Sequence, residues 1–131
     1  AIDLDQDGDI DILADSAEND SITWYENDAK GSFISHDITK TADRAYDIFP
    51  IDLDSDGDID VLSASSYDHK IAWYENDGKQ NFVSHIITTQ AVNASSVSAA
   101  DLDNDGDIDV VSSSQGDSAV NWYENTTITP D

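Results

Sequence analysis

Asp3-Leu4-Asp5-Gln6-Asp7-Gly8-Asp9-Ile10-Asp11 recurs as Asp52-Leu53-Asp54-Ser55-Asp56-Gly57-Asp58-Ile59-Asp60, and again as Asp101-Leu102-Asp103-Asn104-Asp105-Gly106-Asp107-Ile108-Asp109. The three copies begin 49 residues apart and the register never slips. A second landmark keeps the same interval: Trp24-Tyr25-Glu26-Asn27 returns at 73–76 and at 122–125. A third, Phe33-Ile34-Ser35-His36, returns once, as Phe82-Val83-Ser84-His85. Self-similarity at such a period marks a repeat architecture, in which each unit is one supersecondary element that buries its apolar faces against its neighbours. Counted from the Asp-rich stretch, the units are 1–51, 52–100 and 101–131, about two and two-thirds repeats. The first lacks most of its first strand and the third its last, so the chain reads as a mature or excised segment, an impression strengthened by the absence of methionine.

Within a unit the apolar runs are short, rich in β-branched and aromatic residues, and separated by Gly, Asn, Asp and Ser clusters, which predicts strands and no helices. In the second unit the strands are expected near Ala45–Ile51, Ile59–Ala64, Lys70–Tyr74 and Phe82–Thr88, a four-stranded antiparallel meander. Four strands in about 40 to 50 residues is the size of a β-propeller blade, both of whose faces are covered by other blades. Loss of strict alternation in Ile59-Asp60-Val61-Leu62 agrees with burial on both faces. The expected fold is all-β: tandem four-stranded antiparallel blades of a partial β-propeller. A β-solenoid or irregular sandwich is the competing architecture.

Composition narrows function. With 29 acidic against 5 basic residues, the formal charge of −24 excludes a surface for nucleic acid, which needs clustered Lys and Arg. No apolar run approaches the roughly 20 residues of a membrane span, so membrane insertion is not expected. Without cysteine there are no disulfides and no thiolate metal sites; stability must come from packing, repeat stacking or a hard cation.

The Asp-rich stretches point to that cation. Calcium takes six to eight oxygen ligands, supplied at alternate positions of a sharply bent loop with glycine at position 6. In the first copy Asp3, Asp5 and Asp7 would offer side-chain oxygens, Gly8 makes the bend, Asp9 offers its backbone carbonyl, and Asp11 closes the site. Asp52, Asp54, Asp56, Asp58 and Asp60 repeat the set, as do Asp101, Asp103, Asp105, Asp107 and Asp109. One Ca2+ per repeat, three in total, is expected. An EF-hand is rejected because its position-12 acid is replaced by Ala14, Ser63 and Ser112. A merely solvated acidic run would not require glycine at the same place three times.

A loop of the form Asp-x-Asp-x-Asp-Gly-x-x-Asp between two strands, once per repeat, resembles the FG-GAP and VCBS repeats found in integrin α-subunit propellers and many secreted proteins. The resemblance implies a propeller with a calcium site in the hairpin joining the first two strands of each blade, in an extracellular, secreted or surface setting. The Phe-Gly and Gly-Ala-Pro signatures are absent, since the strand before the loop reads Ile48-Phe49-Pro50-Ile51 or Val97-Ser98-Ala99-Ala100. A VCBS-like subtype is therefore the nearer match, and integrin-style ligand recognition does not carry over.

Other residues are read as structural. Trp24 and Glu26 share a strand face and could form a sugar subsite, but a feature present in every repeat is more economically packing, as are Phe33 and Phe82. His36 and His85 occupy equivalent positions, unlike the solitary His69. No nucleophile–base constellation is present, so no enzyme activity is expected. Asn19-Asp20-Ser21, Asn93-Ala94-Ser95 and Asn125-Thr126-Thr127 have the form of N-glycosylation acceptors. The expected role is a calcium-binding structural or adhesion module, with a calcium-dependent carbohydrate-binding module or enzyme appendage as the alternative. The expected partners are further repeats of a parent chain, other copies in an assembly, or a protein or glycan ligand.

Overall fold

Strands form where β-branched and aromatic residues flank each Asp-rich loop. The computed structural model describes residues 1–126; the tail of the third repeat, 127–131, with Thr127 of the third glycosylation acceptor, lies outside the described residues. The strands are β1 (Ile12–Ser16), β2 (Ser21–Asn27), β3 (Phe33–Thr39), β4 (Ala45–Ile51), β5 (Asp60–Ser65), β6 (Lys70–Asn76), β7 (Phe82–Thr88), β8 (Ala94–Ala100), β9 (Asp109–Ser114) and β10 (Ala119–Tyr123). No helix occurs among the described residues, and so none is long and apolar enough to cross a membrane.

The strands make three antiparallel meanders: β1-β2-β3, β4-β5-β6-β7 and β8-β9-β10. The central sheet has the four strands expected of the second unit, with β6 running on to Asn76, which pairs with Phe82. Ile2 pairs with Asp11 as Ile51 pairs with Asp60 and Ala100 with Asp109, so the first sheet keeps the last rung of a fourth strand. The sheets do not close on themselves.

Each sheet buries a face on its neighbour. Alternation along β5 and β6 sends Val61, Ala72 and Tyr74 into one core with Leu4, Ile22 and Trp24 of the first repeat. Leu62, Ala64 and Ile71 enter a second core with Ala94, Val97 and Val110 of the third sheet. Every residue of β5 is buried, because among the described residues only the central sheet is covered on both sides. Polar contacts lock the second junction: Asp47 Oδ2 accepts Ser96 Oγ–H at 2.6 Å and the Val97 N–H at 3.0 Å.

This polarity corrects one expectation. Phe33 is not a core residue; it is 49% exposed, whereas its equivalent Phe82 packs against the first core. Phe82 faces the preceding sheet, and no described sheet precedes that of Phe33. The same logic at the other end leaves Trp122 51% exposed while Trp24 is 3% exposed, since this tryptophan faces the following sheet.

Candidate metal centres

Each Asp-rich stretch leaves one strand position and enters the next through a turn that its own carboxylates hold. Positions 4 and 6 lie in the left-handed region, with φ of 60°, 63° and 64° at Gln6, Ser55 and Asn104, and 102°, 99° and 100° at Gly8, Gly57 and Gly106. Near +100° only glycine is relaxed, which accounts for its recurrence at position 6. In the first loop the Gly8 N–H donates to Asp3 Oδ2 at 3.1 Å, the Asp7 N–H to Asp5 Oδ1 at 3.3 Å and the Asp9 N–H to Asp7 Oδ1 at 2.9 Å. The second loop repeats the pattern at 3.0, 3.3 and 2.9 Å, and the third at 3.2, 3.2 and 2.9 Å.

The ninth position anchors the loop. Buried Asp11 accepts the Leu4 N–H on Oδ2 at 3.0 Å and the Asn27 N–H on Oδ1 at 2.9 Å. Asp60 accepts from Leu53 and Asn76, and Asp109 from Leu102 and Asn125, at 2.8 to 3.0 Å. The Asn side chain completes the clamp, its Nδ2–H donating to the carbonyl of Ile10, Ile59 or Ile108 at 3.1 Å. Sequence reading missed these asparagines as part of the site; their recurrence beside the loop, at its own 49-residue interval, was the available signal.

The folded loops bring three carboxylates together in each repeat. Asp3, Asp5 and Asp11 each place one oxygen within 4.8 Å of the others', as do Asp52, Asp54 and Asp60, and Asp101, Asp103 and Asp109. Asp7, Asp56 and Asp105, and Asp9, Asp58 and Asp107, lie on the same loops outside these triplets. The three groups could hold a metal ion, one per repeat. The donor set fits a hard cation: it is all oxygen, with no imidazole or thiolate in any triplet. Buried Asp3 Oδ1 and Asp52 Oδ1 have no hydrogen-bond partner among the described residues, a costly arrangement for a carboxylate that a bound cation would relieve.

Electrostatics agree. Burial, then the neighbouring carboxylates Asp7, Asp11 and Glu26, pushes Asp5 above the usual carboxylate range. Asp54 is raised by burial and by Asp56, Glu75 and Asp52, and Asp103 by burial, Asp105 and Asp109. Asp60, in the doubly covered central sheet, is raised by burial to about 6 despite its two backbone donors. Asp109 moves the other way. Burial raises it, but the Asn125 and Leu102 N–H groups and the Trp122 indole outweigh burial in the less covered third sheet.

The repeated Trp-Tyr-Glu-Asn strand forms no sugar platform at Trp24, which is buried. Trp24 stacks on His36 with centroids 4.6 Å apart, and His36 Nε2 lies 2.7 Å from Glu26 Oε2. Trp73, His85 and Glu75 repeat the cluster at 4.6 and 2.6 Å. The two equivalent histidines thus brace β2 to β3 and β6 to β7.

No curated protein matches the chain. The model of the FG-GAP-like repeat matches it twice, over residues 3–63 and 52–112, in windows that each run from one Asp-rich loop past the next. Repeats of that kind are generally adhesion-type modules of extracellular or surface proteins. With the loops, their spacing and the all-β meanders in agreement, the chain belongs to the FG-GAP-like repeat family.

Proposed function

We propose that this chain is a calcium-binding, non-enzymatic module of a secreted or cell-surface protein, its three sheets acting as blades of a β-propeller and its three loops each taking one Ca2+. The convergence of three carboxylates per loop, with Asp3 Oδ1 and Asp52 Oδ1 buried and partnerless, carries the reading. Calcium suits it better than zinc, which prefers nitrogen and sulfur ligands.

The ion's role is structural. It cancels carboxylate repulsion in the loop and stiffens the edge where successive sheets meet. Gln6 Nε2–H donates to the Gly57 carbonyl at 2.7 Å, and Asn125 Nδ2–H to the Leu53 carbonyl at 3.3 Å, so the first and second loops each touch the following repeat. A set of rigid blades supports adhesion to its neighbours, whether further repeats of a parent chain or other copies.

Isothermal titration calorimetry tests the assignment. The expected stoichiometry is three calcium ions with affinities on the order of 0.1 to 1 mM, falling to two for Asp54→Ala. Unchanged heats on adding calcium, or equal binding by Asp54→Ala, would contradict it.

A further inference from the structure

At the opposite end of β4 from its Asp-rich loop, a cavity of about 180 Å³ opens between the second and third sheets. Arg44, Tyr46 and Tyr67 form one wall, and Asn93, Ser95 and Gln115 contribute amides and a hydroxyl from the other. Arg44 is the chain's only arginine among 29 acids, yet it forms no ion pair among the described residues. Its guanidinium lies 4.6 Å from the centroid of Tyr67 and 5.7 Å from that of Tyr46, and its Nη1–H donates to the Tyr67 hydroxyl. The nearby Asp20 Oδ1 is engaged by the Arg44 backbone N–H at 3.1 Å. The tyrosines are 52% and 61% exposed, with ring surface available to a ligand.

The repeat supplies an internal control on what the fold itself requires. Where the loop and the Trp-Tyr-Glu-Asn strand are copied faithfully, this wall is not: Arg44 corresponds to Asn93, Tyr46 to Ser95, and Tyr67 to Glu18 and Gly116. Left-handed backbone is retained at Arg44 and Asn93, with φ of 55° and 53°, so the scaffold tolerates either side chain there. Arg44, Tyr46 and Tyr67 are therefore not demanded by the packing of a repeat.

We propose that this cavity binds a single saccharide unit bearing an oxyanion, a carboxylate or a sulfate ester. A guanidinium stacked on aromatic rings retains fork geometry for such a group. Exposed tyrosine faces suit the C–H face of a pyranose, and the Asn93 and Gln115 amides opposite can read its hydroxyls, while Ser95 Oγ is held by Ser113. The cavity is smaller than the several hundred Å³ of a drug-sized site, which limits it to one ring. The site is independent of the Asp-rich loops.

The test is a titration followed by amide resonances of the isotopically labelled chain in calcium-containing buffer, with glucuronate, glucose 6-sulfate, glucose and N-acetylaspartate as separate probes. The expected result is that one or both sugar anions shift Tyr46, Tyr67 and Ser95 with Kd on the order of 1 mM. Glucose and N-acetylaspartate should bind at least about tenfold more weakly, and Arg44→Gln should weaken the sugar anions by about tenfold. The tighter of the two anions identifies the charged group. The proposal is overturned if glucose matches glucuronate, if N-acetylaspartate does, if neither anion shifts these residues, or if Arg44→Gln titrates like the parent. Should Arg44→Gln not fold, Tyr46→Ala, at an exposed ring, must show the loss instead.

Discussion

Asp60 Oδ1 accepts the backbone N–H of Asn76 at 2.8 Å, joining the closing residue of one Asp-rich loop to the end of a strand 16 positions on. Asp60→Ala would leave that N–H and the N–H of Leu53 buried without acceptors. It should cost about 2 to 4 kcal/mol in urea unfolding. Asp58→Ala, on the same loop outside the triplet, should change metal-free stability by about 0.5 kcal/mol or less. Equal effects of the two would contradict the anchoring role.

The burial that raises Asp60 to about 6 predicts a direction of pH dependence for the metal-free protein. A carboxylate whose folded pKa exceeds its unfolded value near 3.9 favours the fold when protonated, so its contribution is present at pH 4 and lost as pH rises through about 6. Solvent screening keeps this contribution to on the order of 1 to 3 kcal/mol. Calcium should reverse the sign, because it holds the carboxylates ionised and is displaced by protons as pH falls. Urea midpoints between pH 4 and 7, in chelator and in calcium, measure both slopes.

Gly57 has φ of 99° and no atom within 4 Å of where a Cβ would stand, so Gly57→Ala meets strain without a clash. A loss of about 1 to 3 kcal/mol is expected by chemical denaturation, with weaker calcium binding at that loop alone. Retained stability would show that the loop relaxes into another turn.

Position between sheets sets the cost of core truncation. Leu62→Ala, in the doubly covered β5, should lose about 2 to 5 kcal/mol. Trp122→Ala should lose less than Leu62→Ala, about 1 to 2 kcal/mol despite the larger side chain, since half its surface is already exposed. A larger loss at Trp122 would mean that its face is already covered in solution, by a second copy.

Much of this was legible in the residues. A strict 49-residue interval located the loops, and β-branched runs between Gly- and Asp-rich turns placed the four central strands within two residues of their ends. What could not be read depended on neighbours. Phe33 and Phe82 are the same residue of the same motif, but one faces a covered side and the other does not. Spacing could not separate carboxylates that converge, such as Asp54, from those outside the triplet, such as Asp56, because both alternate along the same loop and both accept a turn N–H. The pocket at Arg44 is assembled from two repeats, and its residues form no motif in either.

A thermal melt in calcium and in EDTA tests the central claim most directly, because a cation that binds the folded loops far better than the unfolded chain adds its binding free energy to stability. With three sites of submillimolar to millimolar affinity, 10 mM calcium should raise Tm by on the order of 10 °C or more over the chelated protein. Asp54→Ala should show a smaller rise. Coincident melts in calcium and EDTA would contradict the account, since the Asp-rich loops would then be folded without a cation's help.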